Sequence, residues 1–204
     1  IAAYAWLPHE GIINQKMRPW LADMKSDDSY KGGGGLSDQT PWDQMEVFSL
    51  VTPNVGNNDG MWFGNYEGVS RCNYALNALR KMDESTYPVK KTRIAEMRFL
   101  RGYMFMQLKK WYRWIPYYDE NLSVDSIPKI PNHPDTAKND LYIWEKIYQD
   151  FAAAAPDLPE TQTEPGRPTK YAALGEMANV LMWMAYEEDA NNQVININKT
   201  RLTA

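Results

Sequence analysis

The chain has 204 residues, 44% hydrophobic and 24% charged, with a formal net charge of −4. A chain of this size buries about 70% of its accessible surface on folding, enough for one sizeable core or for part of a larger domain. The acidic balance and the lack of a Lys/Arg stripe exclude phosphate-neutralising nucleic-acid binding, and no apolar run is long enough to span a bilayer.

The chain begins IAAYAWL, helical in character and without an initiator Met, as expected of a processed or truncated end. No segment has the charged start and apolar centre of a secretory signal. Tyr4, Leu7 and Ile12 predict a short helix over about 1–14, bent or delimited by Pro8. A second short segment, Trp20 to Met24, runs into SDDSYKGGGGLSDQTPWD. Its glycines, with Ser, Asp and Pro, predict a mobile loop. A long helix follows over about 58–82, with Tyr66, Val69, Asn73 and Leu76 as its stripe and Cys72 and Leu79 beside it. Cys72 is the single cysteine, so no internal disulfide can form.

The next helix, about 88–111, carries Ile94, Met97, Leu100, Met104 and Leu108 on one face and is stopped by Pro116. Pro128, Pro131 and Pro134 make 119–138 an extended connection. Leu141, Trp144, Tyr148, Phe151 and Ala155 then repeat at three and four, with Asn139 or Asp140 as the N-cap. After PDLPETQTEPGRP a last helix begins near Thr169, with Pro168 fixing its entry and Tyr171, Leu174, Ala178, Leu181 and Ala185 as its stripe. Residues 189–204 are polar without a clear period, and no strand alternation of useful length occurs. The fold class is all-α: helix pairs over about 62–111 and 140–188, joined by long irregular loops, stacked as in helical-repeat proteins. Ala172, Ala173, Gly175 and Ala178 would let a neighbouring helix approach the last one closely.

Catalytic chemistry finds little support. The two histidines, His9 and His133, lie far apart beside prolines, and no metalloprotease, nucleophile-elbow or phosphate-loop motif occurs. The glycine run 32–35 lacks the Lys-Ser/Thr and helix start of a phosphate cradle. Adjacent acids such as Asp27-Asp28 and Glu187-Glu188-Asp189 give no evidence of the carboxylate separation that glycoside hydrolysis requires. Neither they nor the 189–198 tail has calcium-loop spacing. The chain reads as a non-enzyme without a cofactor or metal.

Four stretches, in order, resemble the SusD/RagB family: WFGNYEGVSRCNYALNAL at 62–79, AEMRFLRGYMFMQLKKWY at 95–112, IWEKIYQDFAAAAPDLP at 143–159 and GRPTKYAALGEMANVLMWMA at 166–185. The resemblance implies tetratricopeptide-like helix pairs. It also implies a lipid-anchored protein on the outer face of the outer membrane of Bacteroidetes-type bacteria. Such a protein would capture an oligosaccharide, or in some members a peptide, and deliver it to a partner SusC-like TonB-dependent transporter. Members are more than twice as long, so residues 1–204 would be an N-terminal part of one SusD-like helical domain, without the lipid-bearing cysteine and the C-terminal half. Where the family has a Gly after the long aromatic-ended helix, this chain has Arg113, which puts the expected tight turn in doubt.

In glycan-binding relatives an aromatic and an Asn near the start of the first long helix, with charged residues of the preceding loop, contact sugar. Trp62 and Asn65 match that arrangement; Asp28, Tyr30 and Lys31 lie in the corresponding loop, and Trp42 follows it. An indole would cover the apolar C–H face of the sugar while polar side chains satisfy its hydroxyls. Trp and Tyr supply such surfaces here, at 8 and 13 copies against 5 Phe. The cluster WYRWIPYY at 111–118, with Trp111, Tyr112, Trp114, Tyr117 and Tyr118, reads as packing at a helix end, and Trp144 and Trp183 as core. Glu96, Arg98 and Arg101 read as a buried or half-buried charge network between helix pairs. Two other readings stay open: a peptide-binding member, or a helical scaffold that only contacts the transporter.

Overall fold

The computed structural model describes residues 3–7, 23–26, 28–35, 37–38, 40–49, 58–132, 141–189, 191 and 193–204. The expectations placed on Pro8, His9, Ile12, Trp20, Asp27, His133, Pro134, Asn139 and Asp140 lie outside these residues. The helices are α1 (Thr40–Glu46), α2 (Asn58–Arg80), α3 (Lys90–Tyr112), α4 (Leu141–Ala154), α5 (Lys170–Ala185) and a closing turn, α6 (Lys199–Leu202). Short 3-10 turns occupy Tyr4–Trp6, Asp23–Lys25 and Val124–Lys129. No helix among the described residues is long and apolar enough to cross a membrane. The chain divides into two compact units, Ile1–Gly68 and Val69–Ala204.

In the first unit, α1 packs against the Asp23–Lys25 turn, and Met24, Trp42 and Met45 are buried. Pro41 sits in the first turn of α1, where its missing N–H breaks no helical bond. The glycine run is tied together around Lys31. The Lys31 ammonium donates to the carbonyls of Gly35 and Asp38, its backbone N–H donates to Glu46 Oε2 at 3.1 Å, and Gly34 N–H donates to Asp38 Oδ2 at 3.0 Å.

In the second unit, α3, α4 and α5 pack in chain order. Of the predicted α3 stripe, Met97, Leu100, Met104 and Leu108 are buried and Ile94 is half-buried. The α4 stripe likewise buries Trp144 and Phe151, joined by Ile143, Ile147 and Ala154. Gly102 permits the approach of α3 to α4, since a Cβ there would lie 3.2 Å from Asp150 Cβ and 3.3 Å from the Phe151 ring. Thr169 caps α5, its hydroxyl accepting from Ala172 N–H at 3.2 Å. Among α2 residues 69–80, Val69, Cys72, Asn73, Leu76 and Leu79 are buried. Burial pushes the Cys72 thiol up to about 12, which leaves it inert as a nucleophile.

Three expectations need correction. The α5 stripe is Ala173, Val180 and Met184, with Ala185, while Tyr171, Leu174 and Ala178 are exposed. This helix is apolar nearly all round, so spacing does not single out one face. Of its small residues only Ala173 lies at a helix contact, buried with Ala95 and Ala154; Ala178 is exposed, and a Cβ on Gly175 would meet nothing within 4 Å. Finally, the polar tail contains an antiparallel hairpin, β1 (Tyr186–Glu188) with β2 (Val194–Ile197), pairing Tyr186 with Ile197 and Glu187 with Asn196. Strands of three and four residues with little burial leave no alternation to read.

Charged groups fill part of the interior. Glu96 is buried and accepts from Arg93 at 2.6 Å and Arg167 at 2.8 Å. Arg101 is buried and donates to Asn73 Oδ1 at 2.7 Å and to the Glu120 carboxylate. Arg80 also reaches Glu120. The helix end at 112 is made by Arg113 itself, at φ 55° and ψ −60°, with Trp114 N–H donating to the Tyr112 carbonyl across a γ-turn.

Candidate functional site

The six residues expected to meet a ligand all fall in the first unit, and the structure places them differently. Trp62 is half-buried on α2, its ring 4.8 Å from Tyr66 and inclined at 56°. One helical turn separates the two, so they share a face. Phe63 beside them is exposed. Asn65 is instead an interior residue: it is fully buried and its Nδ2 donates to the Met61 carbonyl at 2.8 Å. Trp42 is only 5% exposed, on the helix α1 that packs against the Asp23–Lys25 turn. Neither side chain offers a surface to a ligand, which corrects the expectation for both. The Lys31 ammonium closes the glycine loop and also lies 4.0 Å from Asp43, so its first role is structural. Tyr30 is 71% exposed and Asp28 is exposed, its N–H donating to Ser26 Oγ at 3.3 Å. The accessible set is therefore Trp62, Tyr30 and Asp28, and the partner missed from sequence is Tyr66, whose spacing from Trp62 was the available signal.

The second unit holds a cleft of about 650 Å³ at the C-terminal end of α3, lined by residues of α3, α4, α5 and the hairpin. Trp144 of α4 and Trp183 of α5 stack there, centroids 5.5 Å apart and planes within 14°. Trp144 is 4% exposed, as expected of core; Trp183 is 45% exposed, against expectation. Lys109 is buried, donates to the Arg113 carbonyl and lies over the Trp114 and Trp144 rings. Arg113 donates to the Asp189 carbonyl at 2.6 Å and lies 3.8 Å from Glu188. Glu187 meets Arg201 at 3.2 Å. Lys110 Nζ sits 5.8 Å from the Trp183 centroid. Burial lowers its proton affinity below that of an ordinary lysine, with Glu176 acting in the opposite sense.

In the aromatic run at 111–118, Tyr117 and Tyr118 pack as expected, whereas Trp111 is exposed, against expectation. Tyr118 is buried, Phe105 lies 4.8 Å from Tyr117 and 6.2 Å from Tyr118, and Tyr117 meets Tyr142 of α4 edge-on at 6.5 Å. Among the described residues no three His, Cys, Asp or Glu side chains converge as metal ligands.

A family model described as "SusD-like: starch-binding associating with outer membrane" matches residues 13–182. The chain belongs to the SusD-like family. Solved structures agree with its helical fold. Surface glycan-binding protein A from Bacteroides fluxus is 25% identical, with a TM-score of 0.69 over 90% of this chain and 38% of that one. A laminarin-binding SusD-like protein is 23% identical, with a TM-score of 0.71 over 90% of this chain and 38% of that one. Surface glycan-binding protein A from Bacteroides thetaiotaomicron, in complex with laminarihexaose, is 23% identical, with a TM-score of 0.67 over 90% and 37%. No curated protein matches. This SusD-like chain thus spans under two fifths of the length of the solved relatives it matches. The family is one of outer-membrane-associated binding proteins rather than enzymes.

Proposed function

We propose that the protein is a non-catalytic, cell-surface glycan-binding protein that captures oligosaccharide at the outer membrane and delivers it to a SusC-like TonB-dependent transporter, held there by a lipid anchor. The observation that supports this best is the half-open Trp62–Tyr66 pair at the start of α2. Two rings one turn apart offer an apolar strip to the C–H face of a sugar. Tyr30 and Asp28 supply a further ring and an acceptor in the same unit. Covering ~100 Å² of sugar face at ~25 cal/mol per Å² yields about 2–3 kcal/mol. A few such contacts, less ordering costs, correspond to roughly millimolar to micromolar binding, which suits capture followed by release. The glycan-binding relatives, including one complexed with laminarihexaose, make laminari-oligosaccharides the first ligands to try.

The test is calorimetric titration of the protein with laminari- and malto-oligosaccharides and with a peptide panel, repeated on Trp62→Ala and Tyr66→Ala. Binding of a glycan that weakens about tenfold or more in Trp62→Ala, with an unchanged circular dichroism spectrum, is expected. Peptide binding without glycan binding, or glycan affinity indifferent to both substitutions, overturns the ligand or the site. Co-purification with the transporter from membranes tests delivery separately.

A further inference from the structure

We infer that the cleft at the end of α3 is a second carbohydrate site, selective for a sugar bearing an anionic group, with Trp183 as the stacking platform and Lys110 as the partner of the anion. The inference rests on the glycan-binding reading but uses a different unit of the chain and different residues.

Its volume, about 650 Å³, lies within the range of small-ligand sites. The platform is pre-organised. Trp144 is buried and stacks on Trp183, fixing the plane of an indole that is still 45% exposed. A large apolar ring held rigidly at the mouth of a cleft loses little freedom when a sugar settles on it.

The charges decide the class of sugar. Lys109, Arg113, Glu187 and Glu188 line the cleft, but each is engaged within the protein: Lys109 with the Arg113 carbonyl, Arg113 with Glu188 and Asp189, and Glu187 with Arg201 and Asn196. Lys110 differs. Among the described residues its ammonium makes no hydrogen bond and no ion pair, although burial already disfavours its charge. It lies over the Trp183 ring, 5.8 Å from the centroid, and the charge of Glu176 acts on it without forming an ion pair. A carboxylate or sulfate carried on the rim of a stacked sugar would satisfy that ammonium with a charge-assisted hydrogen bond while the C–H face covers the indole. A neutral sugar would leave it as it is.

The experiment titrates the protein with oligogalacturonate, a sulfated chondroitin disaccharide and neutral laminarihexaose, at rising salt, in wild type, Lys110→Gln and Trp183→Phe. One or both anionic sugars are expected to bind. Affinity should fall as salt screens the ammonium and drop about tenfold or more in Lys110→Gln. Trp183→Phe, which keeps a ring and the fold, should weaken the same ligand, and laminarihexaose binding should not respond to Lys110→Gln. If laminarihexaose binds but neither anionic sugar does, or if anionic binding ignores Lys110→Gln, this inference is overturned and the neutral-glycan reading stands. If no sugar of any charge binds, both fail together.

Discussion

Arg101 and Asp150 meet as a bidentate pair inside the second unit, Nε to Oδ2 at 2.8 Å and Nη2 to Oδ1 at 2.6 Å. The guanidinium fork on α3 matches the carboxylate on α4, and both side chains are buried. Burial disfavours the charge on each. For Arg101 the bond and charge of Asp150 override that penalty and raise its pKa; for Asp150 burial prevails and raises its pKa despite Arg101. Removing one partner strands the other in a low-dielectric interior, so Asp150→Ala should destabilise the protein by about 3–5 kcal/mol. Arg101→Lys should also be damaging, because an ammonium cannot serve Asp150, Glu120 and Asn73 at once. Urea unfolding of both variants checks this. A loss under about 1 kcal/mol for Asp150→Ala would mean that the pair is solvated.

Glu120 gives the pH dependence. Burial works to raise its pKa, and the hydrogen bond and charge of Arg101, helped by Arg80, prevail and hold it below the usual carboxylate range. A folded pKa below the unfolded one means that the contribution is complete above the unfolded value, about 4.3, and is lost as pH falls through the lower folded value. Glu120→Gln should therefore lower stability near neutrality and flatten the acid limb. Thermal melts from neutral pH down to about pH 3 read both effects. An acid limb as steep as that of wild type would remove Glu120 from the account.

How much of this was legible follows from contrast along the chain. In α3, spacing locates Met97, Leu100, Met104 and Leu108, but burial extends beyond that stripe to Phe105 and Met106 and to the charged Glu96 and Arg101, which no apolar period marks. In α5 almost every position is apolar, and periodicity chose Tyr171 and Leu174 although Ala173 and Val180 are the buried ones. The charge network was readable as a cluster of Glu96, Arg98 and Arg101. Its partners Asp150 and Glu120 were not, since they lie 49 and 19 residues from Arg101. At the candidate site, Trp42 carries nothing local to reveal that α1 turns it inward. Trp62 is legible because it matches a family position; Tyr66, four residues on, completes its surface, whereas Asn65, three residues on, faces the interior.

Arg113 occupies a backbone region that costs a non-glycine residue about 1–3 kcal/mol, and it does so where the family resemblance leads one to expect glycine. Its guanidinium offsets that cost through the Asp189 carbonyl and Glu188. Arg113→Gly relieves the strain and loses those contacts, so its stability should stay within about 1 kcal/mol of wild type. Arg113→Val keeps the strain and loses the contacts, and should fall by about 2 kcal/mol or more. Differential scanning calorimetry ranks the three. Equal losses in Gly and Val would show that the γ-turn stores no strain.

Gly102 sets two helix effects against each other. Alanine should gain up to about 1 kcal/mol in helix propensity. Its methyl would press on the Phe151 ring and on Asp150, which is fixed by Arg101, and neither neighbour has room to withdraw. Overpacking of this kind costs roughly 1–3 kcal/mol, so Gly102→Ala should be net destabilising and Gly102→Val more so. Chemical denaturation decides. A stabilised Gly102→Ala would show that α3 and α4 can part at this point.

Lys31 separates a positioning role from direct ligand contact. Its ammonium binds the carbonyls of Gly35 and Asp38, and Gly34 N–H binds the Asp38 carboxylate, so the loop closes on itself beside exposed Tyr30. Lys31→Gln should open the loop. Protease cleavage within residues 32–38 should accelerate with or without glycan, and any loss of glycan affinity should accompany it. Global stability should change little, since the loop buries few apolar groups. The outcome that sinks this assignment is a Lys31→Gln protein with wild-type cleavage rates and weakened glycan binding, for then the ammonium touches the sugar directly.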